Sequence, residues 1–333
     1  MRLLSDLPHT GGRIKAEPTD FIVEEIPAYE PSGRGDHLYL WIEKTNLTSE
    51  QAISRIARAF DVPAPQIGTA GMKDRRAVTR QHVSVPTTRD DLPELGDDLR
   101  ILGARRHTNR LRTGHLHGNR FRIRVRDTAL PPHEAAQAAS RVLERLSTLG
   151  MPNLFGPQRF GLGSETSTLG MALLKGEKTT RKKSLRKLAL SAAQALLYNE
   201  YLETRIADGL YRKVIPGDVL KKLATGGLFS TQDPSTDQLR LDSRELVHAG
   251  PIFGRKTFPA HDEASLREQK ILESHELTLD DFKRHGKLLA GTRRPDIVYP
   301  EETSIEEATD GIVLAFTLPA GSYATVLLTK VTG

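Results

Sequence analysis

The run Arg120-Phe121-Arg122-Ile123-Arg124-Val125-Arg126 alternates without a break. A β-strand is the element that sends successive side chains to opposite faces. The segment is therefore expected to be a strand, with four arginines on one face and Phe121, Ile123 and Val125 on the other. It ends a longer basic stretch. Residues 100–126 contain nine arginines (100, 105, 106, 110, 112, 120, 122, 124 and 126) and no Asp or Glu, while the whole chain carries only +6. Two readings are open. Edge strands use charge to block further pairing. Arginine also binds phosphate bidentately through its planar fork, and so marks nucleic-acid contact. Four arginines and no lysine on one face favour the second. His115 and His117 are a weak metal signal without placed carboxylates or cysteines.

The 333 residues allow two domains, or one with a large insertion. No run approaches the roughly 18 apolar residues of a membrane span. Charge interrupts Met1–Asp6 too early for a signal peptide, so the expectation is a soluble cytoplasmic protein. The absence of cysteine excludes disulfides, cysteine zinc sites and a cysteine nucleophile. Covalent catalysis would have to use Asp, Glu, Ser, Thr, Lys, His or Tyr.

Gly68-Thr69-Ala70-Gly71-Met72-Lys73-Asp74-Arg75-Arg76 holds one carboxylate among cations. The glycines suggest a tight turn or a close approach. A carboxylate ringed by cations stays ionised, which suits a nucleophile or an electrostatic stabiliser. The plainer reading is a solvated turn with a weak ion pair. A P-loop is excluded, because Lys73 is followed by Asp74 where Ser or Thr is required.

In chain order, Lys15–Asp20 reads as a turn feeding a strand from Phe21, and His37–Lys44 as a second strand. Thr48 and Gln51 form a capping box for a helix that Pro63 and Pro65 stop. Residues 131–149 read as a helix. Lys175–Lys187 carries seven basic residues and one acid, and is either a solvated helix start or a second nucleic-acid patch. A long helix is expected over 188–207, turns over 211–260, an acidic helical region over 262–290, and strands at 311–318 and 324–328. The Gly-x-Gly at 161–163 lacks the third glycine of a dinucleotide fingerprint.

Five ordered motifs resemble the TruD family of tRNA pseudouridine synthases. They are Lys15 with Pro18-Thr19-Asp20-Phe21-Ile22-Val23, Gly71-Met72-Lys73-Asp74, Gly118-Asn119-Arg120-Phe121, Asn153–Gly161, and Leu318–Thr325. The resemblance covers nearly the whole chain. It implies an α+β fold: a mixed-sheet catalytic domain (1–150 and 301–333) interrupted by an α/β insertion (151–300), with the active site in a basic cleft between them.

It also implies cofactor-free isomerisation of uridine-13 in the D-arm region of tRNA. Asp74 would be the catalytic carboxylate and Lys15 its partner cation. Phe21, Phe121 and Tyr323 would hold the uracil, and Asn119 would contact the nucleotide. RNA contacts are expected from Arg105, Arg106, Arg110, Arg112, Arg122, Arg124, Lys182 and Lys183, with Arg159 binding RNA or supporting the cleft. The implied partner is tRNA, with no DNA or membrane, and the chain is expected to be a monomer. Two rivals come from other classes: a non-catalytic RNA-binding or folding protein, and a metal-dependent nuclease built on Asp74, Glu24 and Glu25.

Overall fold

The computed structural model describes residues 6–333. Met1–Ser5, on which the signal-peptide reading rests, lie outside the described residues, as does the side chain of Leu162. The chain forms two compact units. One comprises Asp6–Thr148, Pro300–Ala324 and Leu328–Gly333; the other comprises Leu149–Tyr299 with Thr325–Leu327. No helix among the described residues is long and apolar enough to cross a membrane.

In the first unit the chain runs β1 (Phe21–Pro27), β2 (His37–Thr45), α1 (Ser49–Ala59), β3 (Gly68–Thr69), β4 (Val78–Pro86), β5 (Leu99–His107), β6 (Leu116–Arg126) and α2 (Pro132–Leu149). The Thr48–Gln51 capping box forms as expected, with the Gln51 amide 3.1 Å from the Thr48 hydroxyl.

The second unit follows with β7 (Met151–Pro152), α3 (Glu165–Lys175), α4 (Lys183–Ala207), β8 (Val219–Lys222), β9 (Leu228–Ser230), α5 (Pro234–Asp242) and β10 (Leu246–Ile252). It continues through α6 (Asp262–Ser274), α7 (Leu279–Lys283), β11 (Thr292–Pro295) and β12 (Ile297–Val298). Its sheet has the order β11-β10-β8-β9, and three of these strands, β8, β9 and β10, fall in the 211–260 stretch that the sequence suggests is mostly turns. Two features at its centre explain the distinctive Asn153–Gly161 motif. Asn153 donates to the Pro295 carbonyl at 2.8 Å and accepts from Arg294 at 2.6 Å, and Asn199 brackets the Phe155 backbone at 2.8 and 2.9 Å.

The chain closes with β13 (Glu301–Ala308), β14 (Gly311–Pro319) and α8 (Ala324–Thr332). The expected strand at 324–328 is a helix. Leu327, Leu328 and Val331 are the residues buried to 1% or less, and that spacing of one and four is helical. Packing therefore overrides the β-propensity of Thr325 and Val326.

The main sheet has the order β13-β14-β6-β1-β4-β2-β5, with β3 on β4. β1 and β4 pair in parallel and the other neighbours are antiparallel, so the sheet is mixed. Register fixes what each face carries. Val23 and Phe316 both lie opposite Phe121, and Glu25 and Leu318 both lie opposite Asn119. Phe21, Val23, Glu25, Lys44, Asn119, Phe121 and Ile123 thus share one face, while Glu24, Glu43, Arg80 and the alternating arginines of β6 share the other.

Candidate active site

Asp74 lies on the loop between β3 and β4. The two glycines before it differ in purpose. A side chain at Gly68 would meet the Leu111 carbonyl oxygen at 2.3 Å, whereas nothing lies within 4 Å at Gly71. Gly68 is therefore required by close packing and Gly71 is not. The loop backbone is held from several sides. Ser49 Oγ accepts the Lys73 N–H at 3.1 Å and donates to the Lys73 carbonyl at 3.3 Å. Lys44 Nζ donates to the carbonyls of Asp74 at 2.7 Å and Leu47 at 2.8 Å. The Gly114 N–H donates to the Ala70 carbonyl at 2.8 Å.

The Asp74 carboxylate pairs with Lys15 Nζ at 3.1 Å, and both side chains keep about a quarter of their surface exposed (27% and 21%). Lys15 sits at φ +56°, a left-handed conformation that a lysine adopts at a cost, and its Nζ lies 4.0 Å from the centre of the Phe21 ring. Lys73, Arg76 and Arg80, close by in sequence, are engaged elsewhere. Lys73 turns inward to Glu25 at 3.0 Å and to Asn119 Oδ1 at 2.6 Å. Arg76 donates to the Ala16 carbonyl at 2.9 Å, and Arg80 binds Glu43 and Glu24 on the opposite face.

Behind the pair, Phe21 and Phe121 meet edge to face at 6.3 Å, and Phe316 stacks on Phe121 at 5.3 Å. The structure thus brings together Lys15, Phe21, Asp74, Asn119 and Phe121. Tyr323 is half-buried at the start of α8, after a turn whose Ala320 N–H donates to the His117 carbonyl at 2.9 Å.

Three contributors go beyond the residues expected from the sequence: Lys44, Glu25 in a structural pairing role, and Phe316. Lys44 is 1% exposed, and burial pushes its ammonium down to about 8 despite the opposing pull of Asp74. Its signal lies in the alternation Leu38, Leu40, Ile42, Lys44, which puts a lysine on an apolar face. Glu25 follows Phe21 and Val23 in the same way. Glu24 and Glu25, adjacent on one strand, point to opposite faces, so the three carboxylates of the nuclease reading do not converge. Among the described residues there is no cluster of three or more His, Asp or Glu suited to a metal.

The basic residues divide by surroundings. The β6 arginines lie on the sheet face away from Asp74, and each has a carboxylate partner. Arg120 pairs with Glu24 and Glu302, Arg122 with Glu306 at 3.0 Å, Arg124 with Asp310 at 2.9 Å, and Arg126 with Asp20 and Asp310 at 2.8 Å. The hydrogen bond from Arg124 holds the Asp310 carboxyl below its ordinary range. The strand is as the alternation demands, but its charge is answered by carboxylates from 96 to 186 positions away in the sequence.

Arg106 pairs with Asp90 at 2.7 Å, and Arg110 donates to the Pro65 and Ile67 carbonyls at 2.7 Å. Arg105, Arg112, Lys182 and Lys183 are exposed and have no carboxylate partner among the described residues. The Arg112 loop is the one hydrogen-bonded to Ala70 through Gly114. Arg159 is engaged within its own unit, with Ser191 and 5.6 Å from the Phe155 ring centre.

A mixed sheet that carries an ion-paired carboxylate beside buried aromatic rings defines a class of site, and comparison with known proteins identifies the family. The family model described as tRNA pseudouridine synthase D (TruD) matches residues 2–181 and 179–331. The tRNA pseudouridine synthase D of Anaeromyxobacter sp. (strain Fw109-5) is 44% identical over 332 residues, 97% of this chain and 93% of that protein. A tRNA pseudouridine synthase D of Thermus thermophilus is 43% identical over 334 residues, 99% of this chain and 91% of the relative. The crystal structure of a Methanosarcina mazei protein assigned to tRNA pseudouridine synthase D superposes with a TM-score of 0.76 at 22% identity. It covers 98% of this chain and 94% of its own, and establishes the shared fold. The chain belongs to the TruD family of tRNA pseudouridine synthases, a family of isomerases.

Proposed function

We propose that this chain converts uridine-13 of tRNA to pseudouridine, with Asp74 as the nucleophile. The observation that carries the proposal is the Lys15–Asp74 pair, partly open to solvent, beside the Phe21 and Phe121 rings and Asn119. The reaction detaches uracil from C1′, turns it, and rejoins it through C5. A carboxylate must attack C1′ or C6, and Lys15, 3.1 Å away, holds that carboxylate in place. Aromatic surface must hold the freed base, which Phe121, Phe21 and Tyr323 supply. Asn119 supplies a polar contact to the nucleotide.

The target must leave its stack, at a cost of a few kcal/mol offset by contacts to the RNA backbone. Arg105, Arg112, Lys182 and Lys183 are exposed, without a carboxylate partner among the described residues, and are the readiest of the basic residues to meet phosphate. Arg106, Arg110, Arg122, Arg124 and Arg159 would have to exchange partners they already hold. The substrate assignment rests on the family and on the relatives' names, and the position on the family resemblance.

Position-resolved mapping of pseudouridine on unmodified tRNA, in EDTA, tests the reading. Product at position 13 alone is expected. Product at another position would overturn the site assignment. Tight binding without product would favour the RNA-binding reading instead.

A further inference from the structure

Lys73 lies between two side chains of the site face. Its Nζ is 3.0 Å from Glu25 Oε2 and 2.6 Å from Asn119 Oδ1. The pair is sealed: the Lys73 side chain is 6% exposed and that of Glu25 is fully buried. Glu25 lies directly opposite Asn119 in the β1–β6 register, and its other oxygen accepts the His82 N–H at 3.3 Å. An ammonium has three donors and no acceptor. The Asn119 atom that faces it must therefore be the carbonyl oxygen, and the amide NH₂ must face away. Reversing the amide would set NH₂ against NH₃⁺ in a dry site and leave the ammonium only Glu25 as an acceptor.

Asn119 Nδ2 has no partner among the described residues. Asn119 is two residues before Phe121 on β6, on the same face.

We infer that Lys73, neutralised by Glu25, is a positioning residue that locks Asn119 as a hydrogen-bond donor, so that Asn119 reads the target base through a carbonyl oxygen and not through N3–H. The inference rests on the isomerisation proposed above. Uracil offers two acceptors, O2 and O4, flanking one donor, N3–H. A locked donor matches either oxygen and repels N3–H. Asn119 thereby becomes a specificity determinant whose polarity is set by an ion pair that need not touch the substrate.

The test uses the whole protein and tRNA carrying uridine, 2-thiouridine or 4-thiouridine at the position that wild type modifies. Sulfur is a weak acceptor. Wild type is expected to turn over one of the two thio substrates about tenfold more slowly than uridine. Asn119→Ala should be slow on uridine and show no further slowing with that same thio substrate.

Asn119→Asp keeps an acceptor toward Lys73 but replaces the outward donor with an acceptor. It should fall about tenfold below Asn119→Ala, with unchanged tRNA affinity and melting temperature. Three outcomes would overturn the inference: near-wild-type turnover by Asn119→Asp, equal turnover of all three substrates by wild type, or equal thio sensitivity in wild type and Asn119→Ala. Failure of wild type on the uridine substrate would remove the underlying reaction, and is distinguished by that control alone.

Discussion

Lys15 Nζ stands 3.1 Å from Asp74 Oδ2 although the two residues are 59 positions apart. Asp74 has Lys73, Arg75 and Arg76 as sequence neighbours, yet its carboxylate is answered by a lysine from the segment that leads into β1, the parallel neighbour of β4. Lys15→Met should lower kcat about tenfold to a hundredfold and leave tRNA affinity within about threefold, because the lost cation orients the carboxylate and not the RNA backbone. Lys15→Arg should recover part of the rate. Unchanged kcat in Lys15→Met would dissociate the pair from catalysis.

Lys44 acts on the same aspartate through the main chain. Lys44→Met leaves the carbonyls of Leu47 and Asp74 without their donor, so the loop is less well held. We expect kcat to fall about tenfold with KM little changed. Stability gives an independent check. Burial holds the folded ammonium near 8 against an ordinary 10.5. Between those values the unfolded chain binds a proton that the folded one has released, so stability rises with pH. Wild type should therefore gain on Lys44→Met between about pH 8 and 10.5, measured as the difference in denaturation free energies. A difference that stays flat across that window would contradict the account.

Phe121 is 6% exposed and touches Phe21 and Phe316, so truncation to Ala would confound catalysis with core loss. Phe121→Leu keeps most of the volume. It should cost about 1 kcal/mol of stability but lower turnover about tenfold, because base–aromatic stacking contributes about 1–3 kcal/mol. Single-turnover kinetics separates the two effects. Turnover near that of wild type would remove this ring from the base pocket.

The arginines divide into two groups that salt can tell apart. Arg112→Gln should reduce the log–log salt slope of tRNA binding by about 0.7–0.9, the share of a single neutralised phosphate. Arg122→Gln with Arg124→Gln should change it less, since Glu306 and Asp310 already hold those guanidiniums. A larger change from the Arg122 and Arg124 pair would mean that RNA displaces both carboxylates.

The arginine case also shows what the sequence can carry. Strict alternation is enough to read β6, and a capping box is enough to read α1, because both depend on neighbours within four residues. Most of the acids opposite β6 come from β13 and the turn after it, 184 to 186 positions away for Glu306 and Asp310, and no local pattern announces them. Distance in sequence likewise hides the partner of Lys73. The motif around Asp74 suggests a carboxylate among cations, but the structure sends Lys73 and Arg76 elsewhere. The helix at 324–332 reads as a strand because its β-branched residues argue one way and its packing the other. Lys44 and Glu25 are legible in principle, as charged residues at the end of apolar alternations.

The most direct test of the central claim is turnover and affinity measured together for Asp74→Ala and Asp74→Asn on unmodified tRNA in EDTA. Pseudouridine formation should fall at least about 10³-fold, while tRNA affinity stays within about threefold, since removing an anion does not weaken binding of a polyanion. Pseudouridine formed at the wild-type rate by either variant would contradict the assignment of Asp74 as the nucleophile.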